Sequence, residues 1–198
     1  DLEETIDQSP HLLTGKVAAS AEDLWMAYST PRHQSVVLSV DTSLSMTGEK
    51  LALTAVALAV VLLQFPDDPI GIVAFENEAK ILKRPEEKIS IAELVERFLE
   101  VPAQGYTHLE EGMRASLGMV KNQMGRSTGK PVSTVLLTDG KYTAGRDPSY
   151  LAPRFKHLIV LKMGNERASM SLCQDLASQG GGSLKEVADL EDLPQVMY

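Results

Sequence analysis

The feature that most constrains this chain is a repeated change of period. Short apolar runs rich in Val, Ile and Leu recur at Ser35–Val40, Ile70–Phe75, Ser133–Thr138, His157–Met163 and Gly182–Val187. Stretches that suit helices lie between and after them, at Glu49–Gln64, Ser90–Leu99, Leu109–Met124, Met170–Ser178 and near Leu190–Tyr198. Runs this short and this continuously apolar suit strands buried on both faces. Strands that alternate with helices predict an α/β fold, a doubly wound and mostly parallel sheet with helices on both sides. The segment FENEAKIL (75–82) has a turn-like centre and predicts a hairpin into one short edge strand. A length of 198 residues suits one domain with a sizeable core.

The most apolar window, LALTAVALAVVLL (51–63), has 13 residues, fewer than the roughly 20 a membrane span needs. It is apolar nearly all round and predicts a helix buried on most sides. A net charge of −8 argues against nucleic acid, which is held largely by Lys and Arg on phosphates. The single cysteine, Cys173, forbids an internal disulfide, so the fold tolerates a reducing compartment. The chain does not begin with Met and shows no signal-like segment, which is expected of a piece of a longer protein.

Residues 1–34 read as an acidic extension with a short helix, and residues 35–198 as the domain. In SAEDLWMAY (20–28), Ser20 is placed to cap a helix on which Leu24 and Tyr28 share a face beside Trp25. This arm packs on its own domain or joins it to an upstream one.

The first strand ends in VVLSVDTSLSM (36–46), where an aspartate is followed by serines two and four residues later. In open α/β sheets, ligands bind at the carboxyl ends of the strands, where neighbouring connections diverge. Asp41 ends one such strand, and Asp139 ends another in VSTVLLTDG. If the two strands are neighbours, both carboxylates reach one rim. Thr107, in QGYTHLEEG (104–112), lies on a loop able to reach over the same edge. The set is then Asp41, Ser43, Ser45, Thr107 and Asp139, all oxygen. Such donors suit Mg²⁺ or Mn²⁺, whereas Zn²⁺ favours nitrogen or sulfur. Two carboxylates roughly balance a dication, which leaves it with affinity for one more anionic oxygen.

DTSLS, Gly105-Tyr106-Thr107 and Thr138-Asp139-Gly140 resemble, in chain order, the three elements of the von Willebrand factor A-type domain. The resemblance implies a Rossmann-like sheet of five parallel strands and one antiparallel edge strand. It also implies a metal-ion-dependent adhesion site at Asp41, Ser43, Ser45, Thr107 and Asp139, completed by a Glu or Asp of a protein partner. Leu44 stands where many members have Gly, and its side chain is expected to point away from the ligands. Met46 and Tyr106 are expected among the exposed apolar residues around the site. LLTDGKYTAG and the ending HLIVLKMG…LASQGGGSLKEVADLEDLP are similar to intracellular prokaryotic domains, in magnesium-chelatase D subunits and in proteins paired with MoxR-type AAA+ ATPases. The resemblance therefore implies a cytoplasmic binding module working with such a motor, and further that changes at the rim couple to the last helix.

Catalysis is the competing reading, as a Mg²⁺-dependent hydrolase of a phosphoester. GRSTG (125–129) has nucleophile-elbow spacing, but Ser127 follows a helix and precedes a strand, the reverse of what an elbow needs. His108 adjoins Thr107 without a hydroxyl left for it to activate, and His11, His33 and His157 share no site-like spacing. GGGS (180–183) lacks the Walker lysine and reads as a helix stop. Lys141 and Arg146 are the cations expected near the rim, few for phosphate chemistry. A binding module, not an enzyme, is the expectation.

Overall fold

The computed structural model describes residues 35–102, 105–124, 131–164 and 169–187. The extension over 1–34, the helix expected near 190–198 and the GRSTG segment lie outside those residues. Six strands form one sheet: β1 (Val36–Asp41), β2 (Ile70–Phe75), β3 (Ala79–Lys83), β4 (Ser133–Thr138), β5 (Leu158–Met163) and β6 (Leu184–Val187). Their spatial order is β3-β2-β1-β4-β5-β6. Every neighbouring pair is parallel except β2 and β3, the hairpin expected from FENEAKIL.

The helices among the described residues are α1 (Glu49–Gln64), α2 (Ile91–Leu99), α3 (Leu109–Met124) and α4 (Met170–Gln179). In α1, Leu53, Ala57 and Leu58 recur at helical spacing and are buried. Pro66 follows the helix's C-cap, Phe65, and stops it. In α2, the Ser90 side chain accepts from the backbone N–H of Glu93 at 3.1 Å, and Glu93 pairs with Arg97 one turn on at 2.7 Å. In α3, the stripe Leu109, Met113, Leu117 and Val120 is buried.

Side chains alternate across the sheet and so divide the core in two. Leu38, Val40, Ile70, Ile72, Leu137 and Leu161 belong to the layer beneath α1 and α2. Phe75, Leu136, Leu158 and Val160 belong to the opposite layer, with α3 and α4. The order runs outward from β1 in both directions, through β2 on one side and β4 on the other. The gap between the carboxyl ends of β1 and β4 is therefore the switch point where ligands bind in such sheets.

Two short 3₁₀ segments, Leu44–Met46 and Pro148–Arg154, were not expected from the sequence. The first carries a correction. Met46 was expected to be exposed, yet it is fully buried, whereas Leu44 and Tyr106 are exposed. A tight turn of three residues replaces the alternating loop, so Met46 rotates inward beneath the rim.

Candidate metal centre at the carboxyl end of the sheet

Asp41 is the last residue of β1 and is fully buried. Thr42 fastens the chain to β2, its N–H and Oγ1 both donating to the Phe75 carbonyl, at 2.9 and 3.1 Å. One Asp41 oxygen accepts from the Ser43 N–H at 2.9 Å. The other accepts from Thr138 Oγ1 at 2.7 Å, across the gap to β4. Burial nevertheless pushes the Asp41 carboxyl up to about 6, against its bonds to Ser43 and Thr138 and with a further push from the charge of Asp139. Ser43 Oγ and Ser45 Oγ lie 3.2 Å apart, so the 3₁₀ turn brings the two serine oxygens of the sequence set together.

Asp139 follows the end of β4 and is also fully buried. Gly140 has a φ of +77°, and a Cβ there would meet Cys173 Sγ at 2.5 Å, so only glycine makes this turn. The turn lets Asp139 Oδ1 accept from the Lys141 N–H at 3.1 Å, while its carbonyl accepts a hydrogen bond from Ser169 Oγ. Asp139 Oδ2 is different. It is buried, and no hydrogen bond from the described residues reaches it. The ammonium groups of Lys50 and Lys141 stand 3.6 and 3.9 Å away.

Thr107 is buried on the loop before α3. Its N–H donates to Thr143 Oγ1 at 2.9 Å, and its carbonyl accepts from the N–H groups of Thr143 and Ala144 at 3.0 and 3.3 Å. On its other side, the Gly105 and Tyr106 N–H groups donate to Glu76 Oε2 and Asn77 Oδ1 of the β2–β3 turn. The Thr107 loop is thus clamped between that turn and the segment following Asp139. Asp41 and Asp139 stand at the carboxyl ends of β1 and β4, Ser43 and Ser45 in the turn after Asp41, and Thr107 on a loop held to the turn after β2.

The remaining sequence candidates take structural places. His108 Nδ1 lies 3.1 Å from the Asn77 carbonyl and His157 Nδ1 lies 2.8 Å from Ser133 Oγ. GGGS closes α4, with the Gly180 and Gly182 N–H groups donating to the carbonyls of Leu176 and Ala177. Arg146 donates its backbone N–H to Glu110 Oε2. Lys50 corrects the expectation that Lys141 and Arg146 were the cations near the rim, because the first turn of α1 delivers it to Asp139. Its place three residues before a buried stripe gave no signal. Thr143, which holds Thr107, was also missed.

Among the described residues no three His, Cys, Asp or Glu gather into a metal cluster. Two carboxylates and three hydroxyls instead make up the set. No helix of the described residues is long and apolar enough to cross a membrane.

No curated protein sequence matches the chain significantly. Proximal thread matrix protein 1 from the mussel byssus has a similar structure, with a TM-score of 0.66 at 15% identity, covering 83% of this chain and 46% of that one. That protein has also been solved with zinc in its MIDAS motif. BatB from Bacteroides thetaiotaomicron is similar at a TM-score of 0.64 and 15% identity, covering 82% of this chain and 95% of that one. A von Willebrand factor type A structure from Catenulispora acidiphila gives 0.66 at 18%, covering 83% and 41%. The chain thus spans less than half of the mussel and Catenulispora proteins. At such identities the likeness is one of fold. The profile of the von Willebrand factor type A domain matches residues 36–141, from the first residue of β1 to just past Asp139, and the chain belongs to that family.

Proposed function

We propose that the rim is a metal-ion-dependent adhesion site, with Asp41, Ser43, Ser45, Thr107 and Asp139 holding Mg²⁺ or Mn²⁺. The observation that carries this reading is the buried Oδ2 of Asp139, which accepts no hydrogen bond from the described residues and meets two lysine ammonium groups only at 3.6 and 3.9 Å. A buried carboxylate oxygen without a donor is costly, and a cation offsets that cost where a neutral donor is missing. The donor set fits the ion as well: oxygen throughout, with hydroxyls that add ligands without adding charge. The zinc in the mussel protein belongs to that protein; the absence of nitrogen and sulfur from this set favours a harder ion. A bound Mg²⁺ supplies a charge that accepts one further anionic oxygen, and a Glu or Asp of a protein partner is the group that suits it. Exposed Leu44 and Tyr106 flank the site and supply apolar contact area for that partner.

In this reading the domain spans residues 35–198, with residues 1–34 as an extension. It is a cytoplasmic, non-catalytic subunit or adaptor for a MoxR-type AAA+ ATPase, as the resemblance of LLTDGKYTAG and of the C-terminal segment suggests. Phosphoester hydrolysis is the weaker alternative, since His108 has Nδ1 on the Asn77 carbonyl and Nε2 3.9 Å from Glu110 Oε2, so neither ring nitrogen is paired with a hydroxyl of the rim.

Calorimetric titration of Mn²⁺ and Mg²⁺ into the whole chain and into Asp41→Ala and Asp139→Ala is the test. Both variants are expected to keep their circular dichroism and lose metal binding. Metal affinity unchanged in a folded variant removes the reading.

A further inference from the structure

Lys50 lies in the first turn of α1 and sends its ammonium toward the metal rim. Nζ stands 3.6 Å from Asp139 Oδ2, the buried oxygen that no hydrogen bond from the described residues reaches. That distance is beyond hydrogen-bond length, so the pair interacts as charges. The lysine's path is shaped for this. Gly164 closes β5 with a φ of +77°, and a Cβ there would meet Lys50 Cε at 2.9 Å, so the space left by the glycine accommodates the stem. Lys141 reaches the same oxygen at 3.9 Å, but its side chain is 40% exposed against 24% for Lys50, so solvent screens it more.

Two buried carboxylates share this edge, and Asp41 already meets the charge of Asp139. Without a cation, Asp139 needs a neighbouring positive charge; with one, that charge repels the ion. We infer that Lys50 is a built-in competitor of the metal, neutralising Asp139 while the site lacks its cation and withdrawing when the cation takes that oxygen. The inference rests on the reading of the rim as a metal site. It makes Lys50 the residue that lowers metal affinity below what the five oxygen donors alone would give. A unit charge a few ångströms from a dication, even where water screens it strongly, changes affinity by about tenfold.

The experiment compares the whole chain with Lys50→Met and the charge-keeping Lys50→Arg, by calorimetric titration with Mn²⁺ and Mg²⁺ and by melting in EDTA. Lys50→Met is expected to bind both ions about tenfold tighter, to melt lower in EDTA, and to recover when the metal saturates it. Lys50→Arg is expected to stay near the unaltered chain in both measurements. Lys50→Gln carries the same expectation as Lys50→Met should the latter fail to fold. Binding by Lys50→Met where the unaltered chain binds poorly supports the inference in its strongest form. Equal or weaker metal affinity in a folded Lys50→Met or Lys50→Gln overturns it, and leaves the metal site standing. If neither the unaltered chain nor these variants take up metal, the metal reading fails. The competitor role fails with it, and a lower melting point in EDTA would then mark Lys50 as a structural counter-charge alone.

Discussion

Asp41 accepts hydrogen bonds on both oxygens and still sits near 6, because full burial penalises its charge more than those bonds favour it. A metal ion takes only the ionised carboxylate, so protons and metal compete for the site. Below about pH 6 the Mn²⁺ affinity should fall about tenfold per pH unit, and each ion bound near pH 5 should release about one proton. Calorimetry in two buffers of different ionisation enthalpy counts those protons, and a count near zero would contradict the assignment. Thr107 offers a second residue-level test through Thr143, whose hydroxyl is the acceptor for the Thr107 N–H. Thr143→Val should cost about 1–3 kcal/mol in the melting transition by stranding that N–H, and should weaken metal binding by loosening the loop. At this scale the placement of Asp41 and Asp139 was readable, because each closes an apolar run that the sequence marks as a buried strand. Met46 and Lys50 were not. Their positions depend on a 3₁₀ turn and on where a helix begins in space, and neither leaves a pattern of residue types.

Helix α3 carries the Thr107 loop at its N-terminus, so its seating on the sheet sets the position of that loop. Gly112 seats it: the helix approaches β2 so closely that a Cβ at this position would collide with the buried Phe75 ring. Gly112→Ala therefore sets two effects against each other. Alanine favours the helix by about 1 kcal/mol, while overpacking a full core costs about 1–3 kcal/mol. The ring is buried on every side, so the clash should win and leave a net loss of about 1 kcal/mol, with a parallel drop in metal affinity as α3 moves outward. A melting point at or above that of the unaltered chain would show that Phe75 gives way. The elements themselves were largely legible. The predicted α1, β2, α3 and β4 have the observed bounds, and β1, β5 and β6 shift by one or two residues at their ends. The 3₁₀ segment Pro148–Arg154 was missed because Pro148 and Pro153 interrupt any apolar period.

At the scale of the molecule, two carboxylates pull its pH dependence in opposite directions. The parallel sheet was predictable from alternation alone, but the strand order that brings Asp41 and Asp139 together needed long-range pairing that composition does not carry. Glu110 joins three parts of the domain: Arg114 on α3, the Arg146 N–H after β4, and Tyr150 in the 3₁₀ segment. Its bond from Tyr150, followed by those from Arg146 and Arg114, holds its carboxyl at about 2, below the ordinary 4.5. A depressed carboxylate adds stability that is present above 4.5 and lost as pH falls toward 2. Asp41 has the reverse sign. Its raised value adds stability that is full below 3.8 and lost as pH rises through about 6, where the buried charge must form. The metal-free domain should therefore be most stable in mildly acidic solution, between about pH 4 and 5. A bound cation removes the penalty on ionised Asp41, so saturating Mg²⁺ should move the maximum toward neutral pH. Melting curves across pH, in EDTA and in Mg²⁺, read both maxima. If the EDTA series keeps rising from about pH 4.5 to neutrality, Asp41 is not the buried, uncompensated charge that ties this domain's stability to its ion.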